Sequence, residues 1–280
     1  MSVHARKVLI SFLACMALAA FIFSGEKFSV LEQRRGEGDN DVAMPPAMLS
    51  LMYVGDRFLA ANIEFVRVTS SGRLADNGNL DFFSNLHSNV ASLNPCHEDN
   101  YYIASAFLPW GGANEAALAI LTQAAQCRFW DPWAAFMLGF NQLFFAHDVG
   151  SATRSMKDAA LRAHGAEATF FSTLAVTVQA SKFDDLGAAL AYLRSERERA
   201  GDSSLKKSLD RRIGRLEGLA ILRGAQRSYE KKYGRPLSHP QELLTSGLLT
   251  KFPDDPLGIG YEYRGQVFEL RQLVPASQRK

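Results

Sequence analysis

Small and large apolar positions recur along the middle of the chain with a period of 35 or 36 residues. Ala104, Gly139 and Ala175 keep that spacing. So do Ala117, Ala152 and Ala188, each 13 residues after its counterpart. Larger side chains hold fixed offsets from these: Ile103, Leu138 and Leu174 stand one before the first set, and Leu121, Met156 and Tyr192 four after the second. Ala124, Ala159 and Ser195 follow seven after it. Two antiparallel helices approach closely where both carry a small residue, and their large neighbours interlock around the contact. The pattern therefore predicts three copies of a helix–turn–helix unit. One such hairpin cannot bury its apolar face alone, so copies stack.

The same reading extends to both flanks. Pro45-Pro46 opens an apolar-periodic stretch to Val68, with Leu49, Met52, Phe58, Leu59, Ile63 and Phe65, which predicts one helix of about five turns. After a glycine-containing loop over Ser70 to Asn79, Asp81 to Leu93 predicts a second helix, closed by Asn94-Pro95. Together they make a degenerate first hairpin that caps the stack. Downstream, Ile213, Leu216, Leu219, Ala220 and Leu222 form the stripe of one long helix over Ser203 to Tyr233. Arg194 to Arg235 holds 13 basic and 6 acidic residues, a local net of +7. Such a face is first a solvated surface; anionic lipid headgroups or an acidic partner are its functional alternatives. The last 45 residues change character: a short helix over Pro240 to Ser246, a turn-rich loop over Lys251 to Gly258, and strands Tyr261 to Tyr263 and Gln266 to Leu270 around Arg264-Gly265.

At the start, Arg6 and Lys7 precede an apolar run from Val8 to Phe23 broken only by Ser11. This predicts a retained signal anchor, with cleavage after Ala19 as the alternative. Positive charge before the span places the rest of the chain outside the cytoplasm. Residues 1–25 are thus read as anchor, 26–45 as a charged, glycine-rich linker, 46–235 as the helical repeat domain with its capping helix, and 236–280 as a small module. The fold class is all-α, a solenoid of helical hairpins with an N-terminal transmembrane anchor and a small C-terminal hairpin module. The location is the inner membrane, single-pass, with the bulk of the chain periplasmic.

With a period near 34 and small residues at these offsets, residues 96 to 195 resemble the tetratricopeptide repeat. Asp131-Pro132-Trp133 marks a repeat boundary as in that family. The resemblance implies a binding scaffold, and Met137, where the family's carboxylate clamp has asparagine, argues against chaperone tails as ligands. The tail is similar to the end of the major pseudopilin of type II secretion, with its leucine-rich short helix, Pro-x-Asp-Pro-x-Gly loop and final tyrosine strand. That family's loop suggests calcium at Asp254 and Asp255, against a plain turn.

A net charge of +2 gives no overall pull toward nucleic acid. No Gly-x-Ser-x-Gly, phosphate-binding glycine loop or His-Glu-x-x-His is present, which argues against an enzyme and calls for no cofactor. Cys96-His97-Glu98-Asp99 offers four ligand types, yet neighbours at a helix start cannot all face one ion, and the acids suit the positive end of a helix. Binding is the natural role for stacked hairpins, whose first helices line a concave face. Tyr101, Ser105, Phe136, Phe140, Phe144, Val176 and Gln179 are the residues assigned to that face. The phenylalanines could take a partner helix or an apolar peptide, or could be core. Cys96 precedes the first helix of its hairpin and Cys127 ends the second, so an antiparallel pair makes them neighbours. They form a disulfide in an oxidising compartment or stay as two buried thiols. The function expected is a scaffold for protein partners in a pilus, secretion or export machine. The alternative is a ligand- or calcium-binding accessory or sensor subunit.

Overall fold

In the computed structural model the stretch read as one N-terminal helix is two, α1 (Pro46–Met52) and α2 (Arg57–Ser70). The break lies at Val54 and Gly55, both with positive φ of 57° and 84°. There the Gly55 amide returns to the Ser50 carbonyl at 2.8 Å, and Asp56 starts the next helix by accepting from the amides of Phe58 and Leu59 at 3.0 and 2.9 Å. A glycine stop followed by an aspartate cap outweighs an unbroken apolar period. Apart from Met16, the structure describes residues 43–70 and 80–271; the predicted anchor, most of the linker, the loop after Ser70 and the last residues lie outside that set.

Nine further elements follow: α3 (Leu80–Leu93), α4 (Glu98–Gly111), α5 (Asn114–Cys127), α6 (Pro132–Phe144), α7 (Val149–Arg162), α8 (Gly165–Ala180), α9 (Leu186–Arg199), α10 (Ser203–Tyr233) and α11 (Glu242–Thr245). They end in an antiparallel hairpin, β1 (Tyr261–Arg264) and β2 (Val267–Leu270). The described residues from Met44 onward form one compact, mostly helical unit. Helices adjacent in sequence pack on each other, and contacts also join α4 to α6 and α8 to α10. Aspartates 131, 148, 185 and 202 each accept an amide hydrogen bond at the start of the helix that follows, which sets four of these boundaries.

Gly139 sits where α6 crosses α7. A Cβ there would lie 3.1 Å from the Ala152 carbonyl oxygen and 3.1 Å from Met156 Cγ. Ala152, Met156, Ala175 and Val178 pack as one cluster, carrying the contact from α7 to α8. The third hairpin departs from the predicted phase. Its buried residues are Ala189, Leu190 and Leu193, whereas Ala188, Tyr192 and Ser195 are half-buried. The link before α9 runs over residues 181–185, against 112–113 before α5. The longer link lets α9 turn toward α10, where Leu190 and Leu193 meet Leu209 and Ile213.

The C-terminal module sits on α10. Leu219, Leu222 and Tyr229 of that helix share a core with Leu237, Leu243 and Phe268. Gly214 and Gly218 form the seat: a Cβ on Gly218 would overlap the Tyr261 hydroxyl, which donates to the Arg215 carbonyl at 3.0 Å. Gly265 and Gln266, with φ of 56° and 65°, make the two-residue turn of the hairpin.

Candidate protein-interaction site

Two clasps fix the start of α6. Cys96 and Cys127 are joined by a disulfide, with Cα atoms 5.3 Å apart. Next to it, the Arg128 guanidinium donates to Glu98 Oε2 at 2.7 Å, to Asp131 Oδ2 at 2.8 Å and to the Cys96 carbonyl at 3.3 Å. Tyr101 donates its hydroxyl to the same Asp131 oxygen at 2.7 Å, while Asp131 Oδ1 takes the Trp133 amide at 2.9 Å. Burial alone would raise the Asp131 carboxyl; the bonds from Tyr101, Arg128 and the Trp133 amide outweigh it and hold the group below the usual carboxylate range. Burial first, then hydrogen bonds with Tyr102 and Asp131, pushes the Tyr101 phenol well above its ordinary range. One repeat later, Arg162 caps the Ala125, Arg128 and Asp131 carbonyls at 2.9, 3.0 and 3.3 Å. These bonds lock the second hairpin to the first.

The face so positioned is aromatic. On α6, Trp133, Phe136, Phe140 and Phe144 follow one another at helical spacing. Ring centroids lie 5.5 Å apart for Trp133 and Phe136, 6.4 Å for Phe136 and Phe140, and 5.6 Å for Phe140 and Phe144, the last pair stacked. Trp110 from α4 extends the row at 5.6 Å from Phe144, and Phe170 from α8 at 6.3 Å from Phe136. Trp110 is 66% exposed, Phe144 51% and Phe170 48%. No charged residue occurs in α6.

Of the residues assigned from sequence, Phe136, Phe140 and Phe144 are brought together on this row. Tyr101, Ser105 and Val176 are not surface residues. Tyr101 is buried against Asp131, Ser105 is buried and accepts from Asn141 Nδ2 at 3.0 Å, and Val176 is buried in the cluster with Leu193 and Leu209. The α4–α6 and α8–α10 contacts consume the positions that a more open stack would expose. Gln179 is half-buried and apart from the row's ring contacts. Sequence reading missed Trp110, Trp133 and Phe170; the spacing of Trp133 from Phe136 and Phe140 was the available signal.

The C-terminal loop is organised around Asp255. Asp255 accepts the amides of Leu257, Ile259 and Gly260 at 2.9, 3.1 and 2.7 Å. Its Oδ2 also lies 3.2 Å from Arg215 Nε, an ion pair without hydrogen-bond alignment. Burial would raise this carboxyl, but the Leu257 and Gly260 amides, the Arg215 charge and the Ile259 amide hold it low. Both Asp255 oxygens are engaged by these groups, and Asp254 is exposed and pairs with Lys251 at 3.4 Å. At the other candidate cluster, His97 caps α4 by accepting from the Asn100 amide at 3.3 Å, and Cys96 is taken up in the disulfide. Among the described residues, no group of three or more His, Cys, Asp and Glu is placed to hold a metal ion, and no helix is long and apolar enough to cross a membrane.

Comparison with known proteins finds no matching family model, curated protein or solved structure.

Proposed function

We propose that the chain is a membrane-anchored, periplasm-facing scaffold of tetratricopeptide-like hairpins, whose aromatic row takes an amphipathic helix of a partner protein in an envelope assembly such as a pilus, secretion or export system. The observation that carries this reading is the uncharged, half-exposed row of rings running across α4, α6 and α8. A contiguous apolar surface of this kind on a folded protein marks a binding site, and aromatic anchors dominate the energetics of helix-in-groove contacts. Close crossing at Gly139 and the contacts between first helices of neighbouring hairpins support the repeat class. The disulfide supports an oxidising compartment. Exposed Leu51, Met52, Phe58, Leu59, Ile63 and Val66 on α1 and α2, which follow the apolar N-terminal run in the chain, support a place against the bilayer.

The test is co-purification from solubilised membranes with Phe140→Ser/Phe144→Ser as the comparison. Phe144 is 51% exposed and Phe140 half-buried, so a thermal melt of the variant accompanies the comparison and should show a retained fold. A stoichiometric partner retained by wild type and lost by the variant supports the scaffold; an equal partner set in both refutes the assigned face. Alkaline phosphatase fused after Lys280 should be active, and an inactive fusion would remove the chain from the periplasm.

A further inference from the structure

A second built feature of the described residues is a cavity away from the aromatic row. It lies where the end of α8, α9 and α10 meet the C-terminal module, and encloses about 350 Å³. That is within the range of roughly 300–1,000 Å³ typical of small-molecule sites. Its walls are apolar: Ala180, Leu186, Leu193 and Leu216 from the helices, Leu257 and Leu270 from the module. Three arginines, 212, 215 and 223, line this space, against the single carboxylate of exposed Asp184 among the lining residues.

The three differ in what they already hold. Arg215 donates to the Arg271 carbonyl at 2.8 Å and faces Asp255. Arg223 donates to the Phe268 carbonyl at 2.9 Å. Both bind the module to α10. Arg212 has no hydrogen-bond or ion-pair partner among the described residues, and its Nε is buried without one. Burial, and then the nearby Arg215 and Arg211 charges, lower its affinity for its proton. A buried Nε without a partner is costly, and a planar fork of donors on a half-buried arginine matches a carboxylate or phosphate. The apolar walls supply the other half of a ligand.

The geometry points to this cavity as a binding site for an amphiphilic anion: a carboxylate or phosphate held by Arg212, with an apolar chain between Leu193, Leu216 and Leu257. The site joins the repeat helices to the C-terminal module, so the ligand stabilises that junction. It is independent of the aromatic row.

The experiment is calorimetric titration of the full chain, held in an amphiphilic polymer, with octanoate, octyl phosphate, octanol and acetate. At least one octyl anion should bind ten times or more tighter than octanol and acetate, and the better of the two identifies the head group. Arg212→Gln should weaken that anion at least tenfold while leaving the unliganded melting temperature equal or higher, because a half-buried charge without a partner has been removed. Leu257→Trp, which fills the cavity from a loop, should also abolish binding. Octanol binding as well as the anions, unchanged affinity in Arg212→Gln, or no binding of either anion overturns the site.

Discussion

Replacing Gly139 tests the packing of the central hairpin quantitatively. An alanine Cβ would sit 3.1 Å from the Ala152 oxygen and Met156 Cγ, and 3.2 Å from Ser155 Cβ. Optimal carbon contacts lie at about 3.5–4.0 Å, so α7 must retreat by a few tenths of an ångström. Against that, alanine in a helix interior gains about 0.5–1 kcal/mol over glycine. The two effects should nearly cancel. Leucine has the same backbone advantage but pushes three more carbons into α7, and overpacking costs about 1–3 kcal/mol. A net loss of about 1–2 kcal/mol follows, or roughly 2–8 °C in melting temperature for a unit of this size. Gly224 in α10 is the control, because a Cβ there meets nothing within 4 Å; Gly224→Ala should gain about 0.5–1 kcal/mol from propensity alone. Thermal melts of the three variants decide the matter. If Gly139→Leu melts at or above wild type, α6 and α7 do not cross at this residue.

Three further outcomes follow from the same structure. Reducing Cys96–Cys127 opens a loop of 31 residues, and in the chain-entropy model should cost roughly 3–4 kcal/mol; a melt unchanged by reductant would contradict the bond. Gly218→Ala should unseat the module from α10, read as faster proteolysis after Tyr233 with the repeat helices still protected, since its Cβ overlaps the Tyr261 hydroxyl. Hydrogen bonds from Tyr229 and then Arg235 hold the Glu242 carboxyl at about 2, down from its ordinary 4.5. The unfolded chain therefore takes up that proton first, so stability present above pH 4.5 should drain away as pH falls toward 2. Glu242→Gln should flatten that slope in acid-titrated melts.

Much of the helical layout was readable because caps and periods agree. Ser203 to Tyr233 carries an aspartate cap before it and Gly234 in a left-handed conformation after it, so both ends are written locally. The proximity of Cys96 and Cys127 follows from two antiparallel helices of equal length. Other features depend on contacts the sequence does not state. The break at Val54 needs a left-handed non-glycine residue. The turn of α9 toward α10 depends on how far residues 181–185 let it rotate. Tyr101 and Ser105 hold the right position in the period for an open face, yet stacking of α4 on α6 buries them. The isolation of Arg212 exists only because residues some 45 positions later dock beside it and pair with Arg215 and Arg223 instead.

The scaffold reading is tested most directly by placing a photo-crosslinking amino acid at single positions of the full chain in living cells. At Phe140, Phe144 and Trp110 it should give the same protein adduct, and at Leu161, 85% exposed on α7 and outside the row, it should give none. Adducts to lipid alone, no adduct at the three ring positions, or an equal adduct from Leu161 would contradict the aromatic row as the partner-binding face.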